Sequence, residues 1–291
     1  MYNIVYRLID ILFYKSSLVR GEITSVVTGY LRNNNDSLVK FLSQFKAILI
    51  KELENYPSIF NDGYRHIEKV IELVSFFSLN IKNSIIDVGS ADGTISIKFS
   101  KAFPEAKIYS FEPIKKTFEK LSNNTKNYPN ISIMNVALGS KTQKMNMHIA
   151  ERITSSSLFE INEHIDDEYL DANIKKKSKE EIEIKRLDEI LLEEEEIFNI
   201  MKIDVQGYEL EVLKGSIGLL NRVKIIVLEM QNHDSYVKAP QYYELDAFLR
   251  NHNFQLFDII PSIRKRKQLY EWDGVYVNNI LLKNDYTVYN N

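Results

Sequence analysis

The chain contains no cysteine, so disulfides, zinc–thiolate sites and thiol nucleophiles are excluded from its chemistry. A reducing, cytoplasmic location is the expectation that fits this absence. It also lacks any apolar run of the roughly 18 residues that a membrane-spanning helix needs. Neither charge is in excess: 37 Lys and Arg face 40 Asp and Glu, a formal net charge of −3. No basic field therefore points to a nucleic-acid partner. The opening Met1–Tyr14 stretch is apolar but broken by Arg7 and Asp10, and it lacks the basic start and small-residue cleavage site of a secretory leader. Its residues 4–14 leave room for peripheral membrane association. There is no internal repeat and no low-complexity tract.

What is present is ordinary globular material: 291 residues, 44% hydrophobic and 26% charged. That length allows one large domain or two small ones, each with a sizeable core. Residues 1–80 read as helical. Leu38, Phe41, Leu42, Phe45, Ile48, Leu49 and Leu53 follow helical spacing after the Asn33-Asn34-Asn35 loop, and Ile67, Val70, Ile71, Val74 and Phe77 follow it after Asn61-Asp62-Gly63. From residue 84 strands alternate with helices. Strands are expected at 85–88, 107–111, 131–136, 200–204 and 223–229, with helices from Thr94 and over about 114–124, 208–220 and 241–251. Strands at 144–150, 182–184, 255–259 and 274–281 complete the reading, with Ile260–Glu271 as the loop between the last two. Repeated βα units predict an α/β fold with a doubly wound, mainly parallel sheet and an antiparallel tail. The domain organisation is then a helical extension over 1–60 and an α/β domain over 61–291. The runs Lys175–Glu181 and Glu193–Glu196 are read as solvated surface.

The stretch Ile85-Ile-Asp-Val-Gly-Ser-Ala-Asp-Gly-Thr94 carries the most chemistry. An apolar strand ends in a turn with two glycines, which let a ligand approach the backbone. The spacing is not the three-glycine pyrophosphate fingerprint. Acids in the turn repel a diphosphate but suit a cation, so Asp87 and Asp92 fit S-adenosylmethionine (SAM), with its sulfonium and ammonium, better than a dinucleotide. Glu112, before Pro113 at the end of the next strand, is placed to accept both hydroxyls of a ribose. Small residues at Asn135-Val136-Ala137 leave room for an adenine.

Together with Arg186-Leu-Asp-Glu189, Lys202-Ile-Asp-Val-Gln-Gly-Tyr-Glu209 and Val212-Leu-Lys-Gly215, these elements resemble the FkbM-type SAM-dependent methyltransferases over about residues 80–280. The resemblance implies a class I methyltransferase fold of the Rossmann-like type, SAM as donor, and O-methylation of hydroxyls on sugars, glycans or natural products. By the same resemblance Asp87, Gly89, Ala91 and Gly93 line the methionyl side, with Ser90 and Asp92 completing the turn. Glu112, followed by Pro113, holds the ribose, and Asn135, Val136 and Ala137 flank the adenine. Ser155-Ser-Ser-Leu158 matches a short serine motif of the family. Many members carry Glu where this chain has Gln206, though a Gln version is also familiar.

Methyl transfer to a hydroxyl needs alignment and a base. Gln206 cannot be that base, which leaves Asp204, Glu209, Glu229 and His233. Asp204, Glu229 and His233 are taken as the catalytic candidates, because Asp204 and Glu229 end adjacent strands. Their oxygens are compatible with a divalent metal, but none is expected. His66, His148, His164 and His252 are read as packing or surface residues, Glu209 as a surface partner of Lys214, and Trp272, Tyr270 and Tyr276 as strand core. The expected acceptor is a sugar hydroxyl of a surface polysaccharide or related glycan, with no nucleic acid and with a homodimer allowed. The rival readings are an N-methyltransferase acting on protein or nucleic acid, and a non-catalytic SAM-fold interaction module.

Overall fold

The computed structural model describes residues 65–160, 162, 176–191, 196–233, 236–265 and 268–282, all within the unit Gly63–Asn291. The helix expected over 38–53, the amphipathic stretch 4–14, the boundary at 60/61, His164, Lys175 and Glu193–Glu195 lie outside the described residues.

Ten strands are described: β1 Ser84–Val88, β2 Ile108–Phe111, β3 Ile131–Met134, β4 Ala137–Leu138, β5 Gln143–Ala150, β6 Lys176–Lys185, β7 Phe198–Ile203, β8 Val223–Gln231, β9 Phe254–Lys265 and β10 Gln268–Asn278. Helices α1 Arg65–Phe76, α2 Thr94–Ala102, α3 Lys115–Thr125, α4 Leu187–Leu191, α5 Glu209–Lys214, α6 Tyr242–Asn251 and α7 Asn279–Leu282 run between and beside them. Seven strands form the central sheet in the order β3-β2-β1-β7-β8-β10-β9. The first five are parallel, and β10 runs antiparallel to both neighbours.

Side chains alternate across this sheet as strand geometry requires. Ile85, Ile108, Ile200, Ile225 and Val275 pack on one face against Ile67 and Val70 of α1 and Phe99 of α2. Ile86, Phe111, Met201, Ile226 and Leu228 pack on the other against Val212 of α5 and Leu245 and Leu249 of α6. Both faces are covered, which explains why β1 and β7 are apolar runs without polar alternation. The strand order reverses between β1 and β7, and a crevice at such a switch point is where open α/β sheets bind ligands.

The segment after β3 builds a second sheet, β4-β6-β5. Its apolar side joins Met147, Leu158, Ile182 and Ile184 to Ile114 and Tyr208 at the carboxyl end of the main sheet.

Several boundaries differ from expectation for local reasons. Ile260–Glu271 is not a loop: β9 and β10 pair through most of it, with Pro261 tolerated on the edge strand β9. β3 stops at Met134, because Asn135 turns its side-chain amide onto the carbonyls of Glu112 and Pro113, both at 2.9 Å. The strand expected at 182–184 extends back to Lys176, pairing its exposed charged residues with β5. The helix after Asp204 is only α5, six residues long.

Candidate active site

The turn after β1 depends on two glycines with positive φ. At Gly89 (φ +76°) an added Cβ would lie 1.9 Å from the Asp204 carbonyl oxygen, so the β7 backbone leaves no room for a side chain. At Gly93 (φ +87°) it would meet Leu121 of α3 at 2.7 Å. Between them Ala91 is also left-handed, at φ +48°. Asp92, just before the N-cap Gly93 of α2, accepts from the Thr94 N–H at 3.1 Å and its hydroxyl at 2.7 Å. Asp87 is fully buried beneath the turn, where it accepts from Ser96 Oγ at 2.6 Å and faces Lys202 Nζ at 3.5 Å.

A cavity of about 360 Å³ opens at the carboxyl ends of β1, β2 and β7. Of the expected cofactor residues, Gly89, Ser90, Ala91 and Asp92 line it on the β1 side. Glu112, Pro113, Val136 and Ala137 line it from the ends of β2 and β3, and Asp204 lines it from the end of β7. Asp87, Gly93, Asn135, Glu229 and His233 stand behind the wall; the first three hold the loops that form it. Sequence reasoning missed Thr117 and Tyr208 on the wall, and gave no separate role to Lys202, which also lines it.

Glu112 is 5% exposed. Its two carboxylate oxygens accept from the N–H groups of Ile114 at 2.9 Å and Ala91 at 3.1 Å, tying the ends of β1 and β2 together. Burial pushes its carboxyl up to about 7, against the pull of those two N–H groups and of Lys202.

Lys202 is a buried cation on the cavity floor. Its ammonium donates to the Gly89 carbonyl at 3.1 Å and lies 3.5 Å from both Asp87 and Asp204. Burial disfavours the ammonium, but Asp204 and Asp87 outweigh it and hold its value above the ordinary one. Burial raises the Asp204 carboxyl, yet Lys202 and the Gln206 amide prevail and hold it below its ordinary range. Two carboxylates around one ammonium leave a net negative charge beneath the turn.

The loop after β7 is clamped from every side. Gln206 is left-handed at φ +56°. Its Nε2 donates to Asp204 Oδ1 at 3.0 Å and Glu229 Oε2 at 3.1 Å, and its Oε1 accepts from Tyr236 at 3.0 Å. The hydroxyl of Ser157, in the serine motif, donates to the Gln206 carbonyl at 2.6 Å. From below, Glu209 Oε1 accepts from the N–H groups of Val205 at 3.2 Å and Gly207 at 3.0 Å. Glu209 is thus a buried brace of the loop; the surface partner of Lys214 is Glu211, at 2.7 Å. Burial pushes the Glu209 carboxyl up to about 7. Burial and the charge of Asp204 push Glu229 well above its ordinary value. His233 pairs with Glu271 at 3.0 Å and stacks on Tyr270, with ring centroids 4.3 Å apart. Trp272 and Tyr276 are core residues.

The residues present fit SAM. A negative floor faces a ligand with net positive charge, the turn Gly89 to Asp92 presents its backbone to the cavity, and a carboxylate closes the β2 end. Among the described residues no group of three His, Cys, Asp or Glu side chains is arranged to hold a metal ion, and no helix among them is long and apolar enough to cross a membrane.

Among curated proteins, Methyltransferase sdnD of Sordaria araneosa is 27% identical over 155 residues, which cover 45% of this chain and 59% of sdnD. The match thus spans less than two thirds of that relative. Among solved structures, Aeropyrum pernix fibrillarin with bound SAM shares 12% identity at a TM-score of 0.42, covering 72% of this chain and 73% of fibrillarin. Magnesium protoporphyrin IX methyltransferase (ChlM) of Synechocystis PCC 6803 with bound SAM shares 12% identity at a TM-score of 0.41, covering 84% and 100%. Scores this low add nothing to the strand order itself. Residues 87–256 match the Methyltransferase FkbM domain; that span is more than half of the chain and takes in Gly89, Glu112 and Asp204, and the chain belongs to the FkbM methyltransferase family.

Proposed function

We propose that the protein is a cytoplasmic SAM-dependent O-methyltransferase whose acceptor is a sugar hydroxyl in a surface polysaccharide or related glycan. The observation that carries this reading is Asp204, held by Gln206 and Lys202 on the cavity wall against the glycine turn. SAM, when bound, supplies an electrophilic methyl group on a cationic sulfur. The negative floor formed by Asp87, Asp204 and Lys202 favours that charge, and Glu112 accepts the ribose hydroxyls.

Asp204 stays ionised at neutral pH because Lys202 and Gln206 hold its carboxyl low. Its carboxylate accepts a hydrogen bond from the acceptor hydroxyl, aligns the oxygen, and takes the proton as that oxygen is alkylated. Glu229, whose carboxyl burial and the Asp204 charge push well above its ordinary value, supports the loop through the Gln206 amide. The glycan class follows from the family resemblance.

Isotopically labelled SAM incubated with the protein and a cell-envelope glycan fraction tests the reading by mass spectrometry. The expected product is a glycan fragment heavier by one labelled methyl in place of hydrogen. Label entering protein or nucleic acid instead overturns the acceptor class. Absence of SAM and S-adenosylhomocysteine (SAH) binding by calorimetry overturns the enzyme and leaves an interaction module.

A further inference from the structure

Among the described residues that line the cavity, Thr117 is the one with a buried side-chain polar atom that lacks a hydrogen-bond partner, its Oγ1. Thr117 is 5% exposed and lies in the first turn of α3. Its N–H donates to the Ile114 carbonyl at 3.0 Å, and the Ile114 N–H donates to Glu112 Oε1 at 2.9 Å. Thr117 therefore lies one helical turn beyond the residue whose N–H holds the carboxylate assigned to the ribose.

A threonine inside a helix ordinarily satisfies its hydroxyl on a carbonyl one turn back. Thr125 at the far end of α3 does so, donating to Leu121 at 2.8 Å. Thr117 does not, and a buried hydroxyl left unpaired is costly. Valine would pack the same volume without that cost, so the hydroxyl calls for a partner that the chain itself does not supply.

We infer that Thr117 recognises the nucleoside half of the cofactor, its hydroxyl gaining a partner on the adenine or ribose. The inference rests on the SAM reading above. In the rotamer of the structure Oγ1 is buried and faces no partner. Rotation about χ1 exchanges hydroxyl and methyl, a change open to threonine in a helix, and brings a group that can both donate and accept to the wall.

Calorimetry with SAH and with 5′-methylthioadenosine, which lacks the amino-acid end, tests this in wild type, Thr117→Val and Thr117→Ser. Thr117→Val should weaken both ligands by the same factor, about threefold to tenfold, the worth of one hydrogen bond. Thr117→Ser should stay close to wild type. Without ligand, Thr117→Val should melt no lower than wild type, because the hydroxyl it removes is unpaired. A lower melting temperature gives the hydroxyl an internal role and overturns the inference. So does unchanged affinity in Thr117→Val, while a loss for SAH alone overturns the placement at the nucleoside. Wild-type protein that binds neither ligand overturns the cofactor reading itself, an outcome separate from the others.

Discussion

The amide nitrogen of Gln206 donates to the carboxylate of Asp204 at 3.0 Å, and the same nitrogen reaches Glu229 at 3.1 Å. One neutral donor thus separates two acids at the ends of neighbouring strands. This is the physical sense of a glutamine between them. Here a third carboxylate would face two others.

Gln206→Glu should therefore be destabilised in a pH-dependent way, by roughly 1–3 kcal/mol near pH 8. Near pH 5.5 the new acid shares a proton with its neighbours and the penalty should shrink. Thermal unfolding of variant and wild type at both pH values checks this. An equal gap at the two would show that charge is not the cause.

The raised carboxyls of Glu112 and Glu209 set the sign of another prediction. Each holds its proton up to about 7 in the folded chain, against 4.5 for an ordinary glutamate. The folded state therefore binds more protons than the unfolded one between those values. The stability they contribute is complete below about 4.5 and is lost as pH rises through about 7. The melting temperature should fall across that window, and Glu112→Gln should flatten part of the fall.

Ligand binding should run the other way, because the ribose is held by the ionised form of Glu112. Affinity for SAH should rise between about pH 6 and pH 8, by up to about tenfold for a group titrating near 7. Calorimetry at the two pH values measures it. A flat profile removes Glu112 from the ribose.

Gly89→Ala tests the turn itself. Its Cβ would sit 1.9 Å from the Asp204 carbonyl oxygen, and neither backbone can yield without distorting the pairing of β1 with β7. A loss of at least about 2–4 kcal/mol in denaturant unfolding is expected, together with loss of SAH binding. A stable variant that binds normally would mean that the turn relaxes at little cost.

Ser157→Ala removes the hydroxyl that holds the Gln206 carbonyl at 2.6 Å. A non-glycine residue in the left-handed region is strained by about 1–2 kcal/mol, and this contact helps to keep it there. The variant should lose about 1 kcal/mol of stability. SAH affinity should hold while methyl transfer falls. Weakened SAH binding would instead place Ser157 on the cofactor side.

Much of this was legible in the residues. The apolar runs at Ile85–Val88 and Val223–Leu228, and the helical spacing of Ile67, Val70 and Val74, are local patterns that lead directly to the layers observed. The glycine turn and Glu112 were legible too, since each sits at a strand end recognisable from its neighbours. Glu209 was misjudged because a lysine close by in the chain, Lys214, suggested a surface pair. Nothing local reveals that the side chain turns back under Val205 and Gly207. Thr117 gave no signal, because a threonine in a helix looks alike whether or not its hydroxyl is satisfied.

By itself the sequence determined the βα alternation, the absence of thiol chemistry and the order of acidic residues along the chain, all of which follow from covalent order and short-range periodicity. Only the tertiary structure decided what those acids face. It buried Asp87 under the turn, set Lys202 between it and Asp204, and joined Asp204 to Glu229 through Gln206. Such contacts join strands far apart in the chain, and their distances and burial, which fix the charge state of each group, exist only once the sheet has formed.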